Sequence, residues 1–135
     1  MVNEPDLQQL IGEREVANRL ARFARVLDGK QYDAIDQVFA ADVTFNYGIG
    51  GEQAGIKSMR NMLQQFLGSC GPTQHLIGSY AIEVSGDHAT SQAYVQARHQ
   101  CRNDLGGAIF DTCGDYLDEW AHREHGWRIV RRDVK

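Results

Sequence analysis

HATSQAYVQARHQCR, residues 88–102, alternates with a period of two along its length. Its odd positions are Ala89, Ser91, Ala93, Val95, Ala97 and His99; its even positions are Thr90, Gln92, Tyr94, Gln96, Arg98 and Gln100. Successive side chains of a strand point to opposite faces, so the small, mostly apolar set faces an interior and the polar set faces outward. Segments of the same kind surround it: 75–85, 108–123 and 126–134 also read as strands. Ser-Gly-Asp at 85–87 and Asn-Asp-Leu-Gly-Gly at 103–107 separate the first three as hairpin turns would.

Upstream of Pro72 the period is helical. Leu7, Leu10, Ile11, Val16, Leu20, Phe23, Ala24 and Leu27 fall mostly at i, i+3/i+4 and i+7, with Glu13, Arg14, Glu15, Arg19 and Arg22 between them. This predicts an amphipathic helix over 6–28, ended by Gly29 as a left-handed cap. A second short helix is expected over 32–40, with Ile35, Val38 and Phe39 on one side, then a strand over 43–47. The glycines of GIGGEQAG, 48–55, make a turn, since they lack the GxxxxGK[ST] spacing of a phosphate loop. A third helix over 56–67 turns Met59, Met62, Leu63, Phe66 and Leu67 inward as core filler. Helices followed by an antiparallel meander make an α+β domain, and 135 residues with no repeat or linker make one domain, 1–135. Wrapped around the first helix, a strongly curved sheet would form a cone with an internal pocket.

The formal charge of −4 leaves no basic excess to neutralise phosphates, and the only local run is Arg128, Arg131 and Arg132, so nucleic acid is not an expected partner. No apolar stretch approaches the roughly 20 residues of a membrane span. The N-terminus MVNEPDLQQL has neither a basic n-region nor an apolar h-region, which sets the expectation of a cytoplasmic protein. Cys70, Cys101 and Cys113 are odd in number and lack CxxC spacing, so they read as free, mostly buried thiols.

Three residues carry chemistry. His99 lies on the interior face of its strand among side chains too small to fill much volume, which suggests a pocket. A core histidine bonded to backbone would give the same pattern. His75, at the expected start of a strand, is open to the same two readings. Asp28 is the last residue before Gly29, where the helix dipole disfavours a carboxylate, so it is expected to serve a neighbouring imidazole. A carboxylate accepting from one ring nitrogen leaves the other as a base. A metal would need three or four converging ligands, which Asp28, His75 and His99 could only just supply, and no metal site is expected.

TQHLIG, residues 73–78, together with Asp28 and Tyr47 placed 19 residues apart and His99-Gln100 placed 24 residues after His75, resembles the SnoaL-like branch of the NTF2-like superfamily, and within it the scytalone dehydratases. GWRI at 126–129 is similar to the last-strand signature of SnoaL-like domains. The resemblance implies the cone fold, a cofactor-free lyase, and roles for four residues. Asp28 would orient His75, His75 would move the proton, His99 would assist the leaving group, and Tyr47 would offer its hydroxyl. It departs from the scytalone dehydratases at Leu27, where they carry a tyrosine, and from the related bile acid dehydratase at Phe23, where that branch carries one, and it shows no pocket asparagine near Glu119 and Trp120. Phe23, Leu27, Phe45, Tyr47, Val95 and Phe110 around the expected pocket imply a small aromatic or polycyclic, mostly apolar substrate. A homo-oligomer, dimer or trimer, is implied through the outer sheet face of Gln92, Tyr94 and Gln96. Two other functions fit the fold: an isomerase of the ketosteroid isomerase type, and a non-catalytic binding or accessory domain.

Overall fold

A computed structural model describes residues 3–101 and 107–135. The first helix, α1 (Glu4–Asp28), starts where Asn3 accepts the Asp6 N–H at 2.9 Å, with Pro5 in the first turn and Glu4 and Asp6 at the positive end of the dipole. It buries Val16, Leu20, Phe23, Ala24, Val26 and Leu27, while Leu7, Leu10 and Ile11 in its first turns stay exposed. At Gly12 a Cβ would meet Val84 Cγ1 at 3.0 Å, so the missing side chain lets the helix lie directly on the sheet. Gly29 ends the helix, but its φ of −85° is not left-handed; Lys30, at φ 53°, makes that turn instead. Its ammonium is then carried to the carbonyls of Leu67 and Cys70 at 3.1 and 2.9 Å.

A 3-10 helix (Tyr32–Gln37) follows and is shorter than the periodicity predicts, because Phe39 is drawn into β1 (Phe39–Asn46) and packs edge-on against Phe23 at 5.3 Å. After β2 (Glu52–Ala54), α2 (Ile56–Leu67) matches its expected span and buries Met59, Met62, Leu63 and Leu67. Phe66 is not inward as expected: it is 48% exposed, and Leu67 beside it is the residue that packs inside in the last turn of α2. Four long strands complete the chain: β3 (Cys70–Ser85), β4 (His88–Cys101), β5 (Ile109–Arg123) and β6 (Gly126–Val134). Most of the turn expected at 103–107 lies outside the described residues.

The six strands form one sheet in the order β2-β1-β6-β5-β4-β3. It is mixed rather than wholly antiparallel, because β1 runs parallel to β6. Alternation along a strand reports which side is buried and says nothing of the neighbouring strand's direction. Register skips in β3 between Cys70 and Thr73 and between Gly78 and Ala81, and opposite β5 between Ile129 and Arg131, bend the sheet around α1. Along β4 the interior set from Ala89 to His99 is 1–8% exposed, whereas Tyr94 is 61% exposed. The expectation of mostly buried thiols holds for Cys70 alone; Cys101 is half-buried, and Cys113 is exposed because it pairs with outward-facing Gln96. Among the described residues no helix is long and apolar enough to cross a membrane.

The interior contains a polar tie between strands, the Trp120 indole N–H donating to Ser91 Oγ at 2.8 Å with both residues buried. Ser91→Ala would strand that N–H away from water. We expect a loss of about 1–3 kcal/mol in unfolding free energy, read as a lower urea midpoint at unchanged slope.

Candidate active site

Asp28 ends α1 with its carboxylate opposed by the helix dipole, and β3 supplies what offsets this. Thr73 Oγ1 donates to Oδ1 at 3.0 Å, the His75 backbone N–H donates to Oδ2 at 3.0 Å, and His75 Nδ1 meets Oδ1 at 2.7 Å. Thr73 and His75 are two apart on one strand, so they present side chains to the same face. The His75 side chain is 6% exposed and that of Asp28 23%, which strengthens the contact by excluding water. With the carboxylate accepting at Nδ1, the neutral imidazole carries its proton there and keeps its lone pair on Nε2. His75 lies inside β3 rather than at its start, since the strand begins at Cys70.

His99 stands opposite Thr73 in the β3–β4 register. Its ring meets that of His75 edge-on at 5.6 Å and stacks on Phe110 at 4.6 Å. It is 7% exposed, and its Nδ1 is buried without a hydrogen-bond partner among the described residues. Burial, and then the neighbouring His75, hold its pKa below the ordinary imidazole value, so the ring is neutral. The dyad and the second histidine thus share one interior face.

Tyr47 belongs to a second cluster. Its hydroxyl oxygen accepts from Arg132 Nη1 at 3.3 Å, and Phe45 meets its ring edge-on at 6.1 Å. Arg132 is fully buried and makes a bidentate pair with Asp118, Nε to Oδ1 at 2.7 Å and Nη2 to Oδ2 at 2.8 Å. Tyr116, Phe23 and Phe39 surround the guanidinium at 3.8, 4.6 and 5.1 Å. Burial alone would disfavour the cation, but the Asp118 charge outweighs it and the guanidinium pKa rises. Burial raises the Tyr47 phenol as well, with Arg132 opposing, so the hydroxyl is a neutral donor.

The sequence reading missed this pair. Arg132 stood in a basic run of the kind that usually faces solvent, and Trp127 and Ile129 set an odd-numbered interior face on β6. The register passes from Trp120–Ile129 to Glu119–Arg131, leaving Val130 as an extra residue, and this skip turns Arg132 inward. Asp118 was the available signal, on the same alternate positions of β5 as Tyr116 and Trp120.

Of the expected pocket residues, Leu27 is buried next to Asp28, and Val95 lies on the His99 face of β4. Phe23 and Phe45 pack into the core beside the Arg132 cluster, and Phe110 is 44% exposed although stacked on His99. Among the described residues no three of His, Cys, Asp and Glu converge as a metal-binding group.

His99 has a consequence for stability. Its native pKa is lowered, so below about pH 6.5 the unfolded chain binds the proton more readily than the folded one. The contribution is complete above that pH and is lost as pH falls from it toward the native value. His99→Gln should therefore flatten the decline of the urea midpoint between about pH 7 and 5 relative to the unaltered protein, and equal declines would contradict this account of His99.

Comparison with known proteins places the geometry in a family. A family model described as SnoaL-like domain matches residues 8–133. The chain is 28% identical over 120 residues to the uncharacterized protein Rv2910c of Mycobacterium tuberculosis, across 87% of this chain and 80% of that one. A protein of Novosphingobium aromaticivorans provisionally assigned as a scytalone dehydratase superposes with a TM-score of 0.82 at 19% identity, covering 93% of this chain and 84% of that one. A hexachlorocyclohexane dehydrochlorinase, LinA type 2, superposes with a TM-score of 0.84 at 16% identity, covering 96% and 88%. At these identities the two structures speak for the fold alone. The helices, the curved mixed sheet and the match across nearly the whole length agree, and the chain belongs to the SnoaL-like domain family with the NTF2-like fold.

Proposed function

We propose that the protein is a cofactor-independent lyase that carries out a dehydratase-type elimination on a small aromatic or polycyclic substrate. The observation that carries this reading is the Asp28–His75 contact of 2.7 Å, with Asp28 also held by Thr73 and by the His75 backbone. His75 Nε2 takes a C–H proton made acidic by an adjacent carbonyl or phenol. The imidazolium so formed is stabilised by the Asp28 carboxylate. Tyr47, its oxygen accepting from Arg132, keeps a hydroxyl proton to donate to the oxygen on which charge develops. His99 donates a hydrogen bond to the departing oxygen or halide, and a departing hydroxide takes the proton from His75 Nε2 to leave as water.

The substrate class follows from charge. Asp118 and Arg132 neutralise each other, His99 is neutral, and Asp28 is committed to His75. A charged ligand would find no counter-charge among these groups, so an uncharged substrate fits, flanked by Leu27, Val95 and Phe110. Dehydratase and dehydrochlorinase are the activities for which the two similar structures are named, and both expel a group.

The test is turnover of a panel of aromatic β-hydroxy-carbonyl and polyol compounds with chelator present. Asp28→Asn keeps the shape but loses the charge that fixes the tautomer, and should cost about 10²–10⁴ in rate. His75→Ala should cost at least as much and the double variant little more, because the two act as one unit. Full activity in either single variant, or activity abolished by chelator, would refute the mechanism. A rearranged isomer in place of an eliminated product would favour the isomerase.

The proposal extends to assembly. Leu76 and Tyr94 stand exposed on the outer face of β3 and β4, each 61% exposed, and a second copy of the chain is the occupant that suits a self-complementary sheet face. Sedimentation at micromolar concentration should give a dimer or trimer mass; a sharp monomer boundary would overturn this.

A further inference from the structure

Cys70 opens β3 and Cys101 closes β4, and the two are register partners. Directly opposed residues on antiparallel strands have Cα atoms about 4.5 or 5.5 Å apart. Disulfides close over about 4.4–6.8 Å. The facing of the side chains also fits. Thr73 pairs with His99, and one residue is skipped before Cys70 pairs with Cys101. The skip turns Cys70 to the interior face of Thr73 and His75, where it is 5% exposed. Cys101 follows Ala97 and His99 in alternation and is half-buried.

The backbone around the pair is already fixed. Lys30 Nζ donates to the Cys70 carbonyl at 2.9 Å, and the Cys101 N–H donates to the Ala108 carbonyl at 2.7 Å. At Gly71, a Cβ would lie 3.3 Å from the Gln100 carbonyl oxygen, so β3 and β4 run close together at this end. Both thiols are free in the reduced chain.

We propose that Cys70 and Cys101 are a redox modification site that closes into a reversible disulfide across β3 and β4. The oxidant is a low-molecular-weight disulfide such as glutathione disulfide. The Cys101 thiolate, the more accessible, attacks one of its sulfurs and releases one glutathione thiolate. The Cys70 thiolate then attacks Cys101 Sγ and releases the second, so the two cysteines lose two protons and two electrons and the glutathione disulfide is reduced to two thiols. The bond lies three residues from Thr73 and two from His99, on the face that carries the dyad. It would stiffen the end of the ladder that holds Asp28. Any effect on turnover rests on the lyase reading; the bond itself does not.

The experiment uses Cys113→Ser, which removes the exposed thiol and leaves the pair. After incubation with glutathione disulfide, the folded protein is quenched with iodoacetamide and digested with trypsin without reduction. Cleavage after Arg60, Arg98 and Arg102 puts the two cysteines on different peptides. The expected result is an intact mass lower by two hydrogens, a linked peptide pair joining 61–98 to 99–102, a Tm higher by about 10 °C, and reversal of all three by dithiothreitol. Cys101→Ser in the same background should show no link and no rise in Tm. Both thiols alkylated after oxidation, a glutathione adduct that persists on Cys101, or a link found only between two chains would each overturn the proposal.

Discussion

A carboxylate at the wrong end of a helix organises this molecule. Asp28 lies where the dipole of α1 repels it, and the conflict is resolved only by donors from a distant strand. Those donors come from Thr73 and His75, so satisfying the acid also fixes which stretch of β3 crosses the end of α1. The same contact sets the tautomer of His75. Register, helix docking and the protonation pattern of the imidazole are therefore one arrangement.

The interior contains a second organising charge pair with the opposite character. Asp28 is partly reached by solvent, whereas Arg132 and Asp118 are sealed completely. Removing two charges from water is costly, and two hydrogen bonds alone rarely recover it. Here three aromatic rings face the guanidinium and a phenol oxygen accepts from its third nitrogen, Nη1. The cluster ties β1, β5, β6 and α1 to a single cation. It also gives the Tyr47 hydroxyl a defined orientation, because an oxygen that accepts from an arginine has its proton directed elsewhere.

Much of this was legible in the order of residues, for local reasons. The alternation over 88–102 identified the buried face of β4 with His99 on it, since a strand's period is independent of its neighbours. Asp28 stood out because its misfit with the dipole is itself local. What stayed hidden depends on the sheet as a whole. The skips at Cys70–Thr73 and at Val130 answer to curvature, and a reader who extends the alternation through them puts Cys70 and Arg132 on the wrong side. Arg132 therefore reads as one member of a local basic run, and the pairing of β1 with β6 had no signature in either segment.

That parallel pairing bears on how the chain is made. β1 ends at Asn46 and its partner β6 ends at Val134, with α2 and three long strands synthesised between them. The centre of the sheet cannot close until β6 has left the ribosome, and until then β1 has the short β2 beside it. Loop closure over so much chain is slow relative to local contacts. The β3–β4 and β4–β5 hairpins can form first, each from contiguous chain. A nascent chain stalled before Gly126 would hold these hairpins with an open edge at β5, so the roughly eighty residues between β1 and β6 are a period of exposure to aggregation during synthesis.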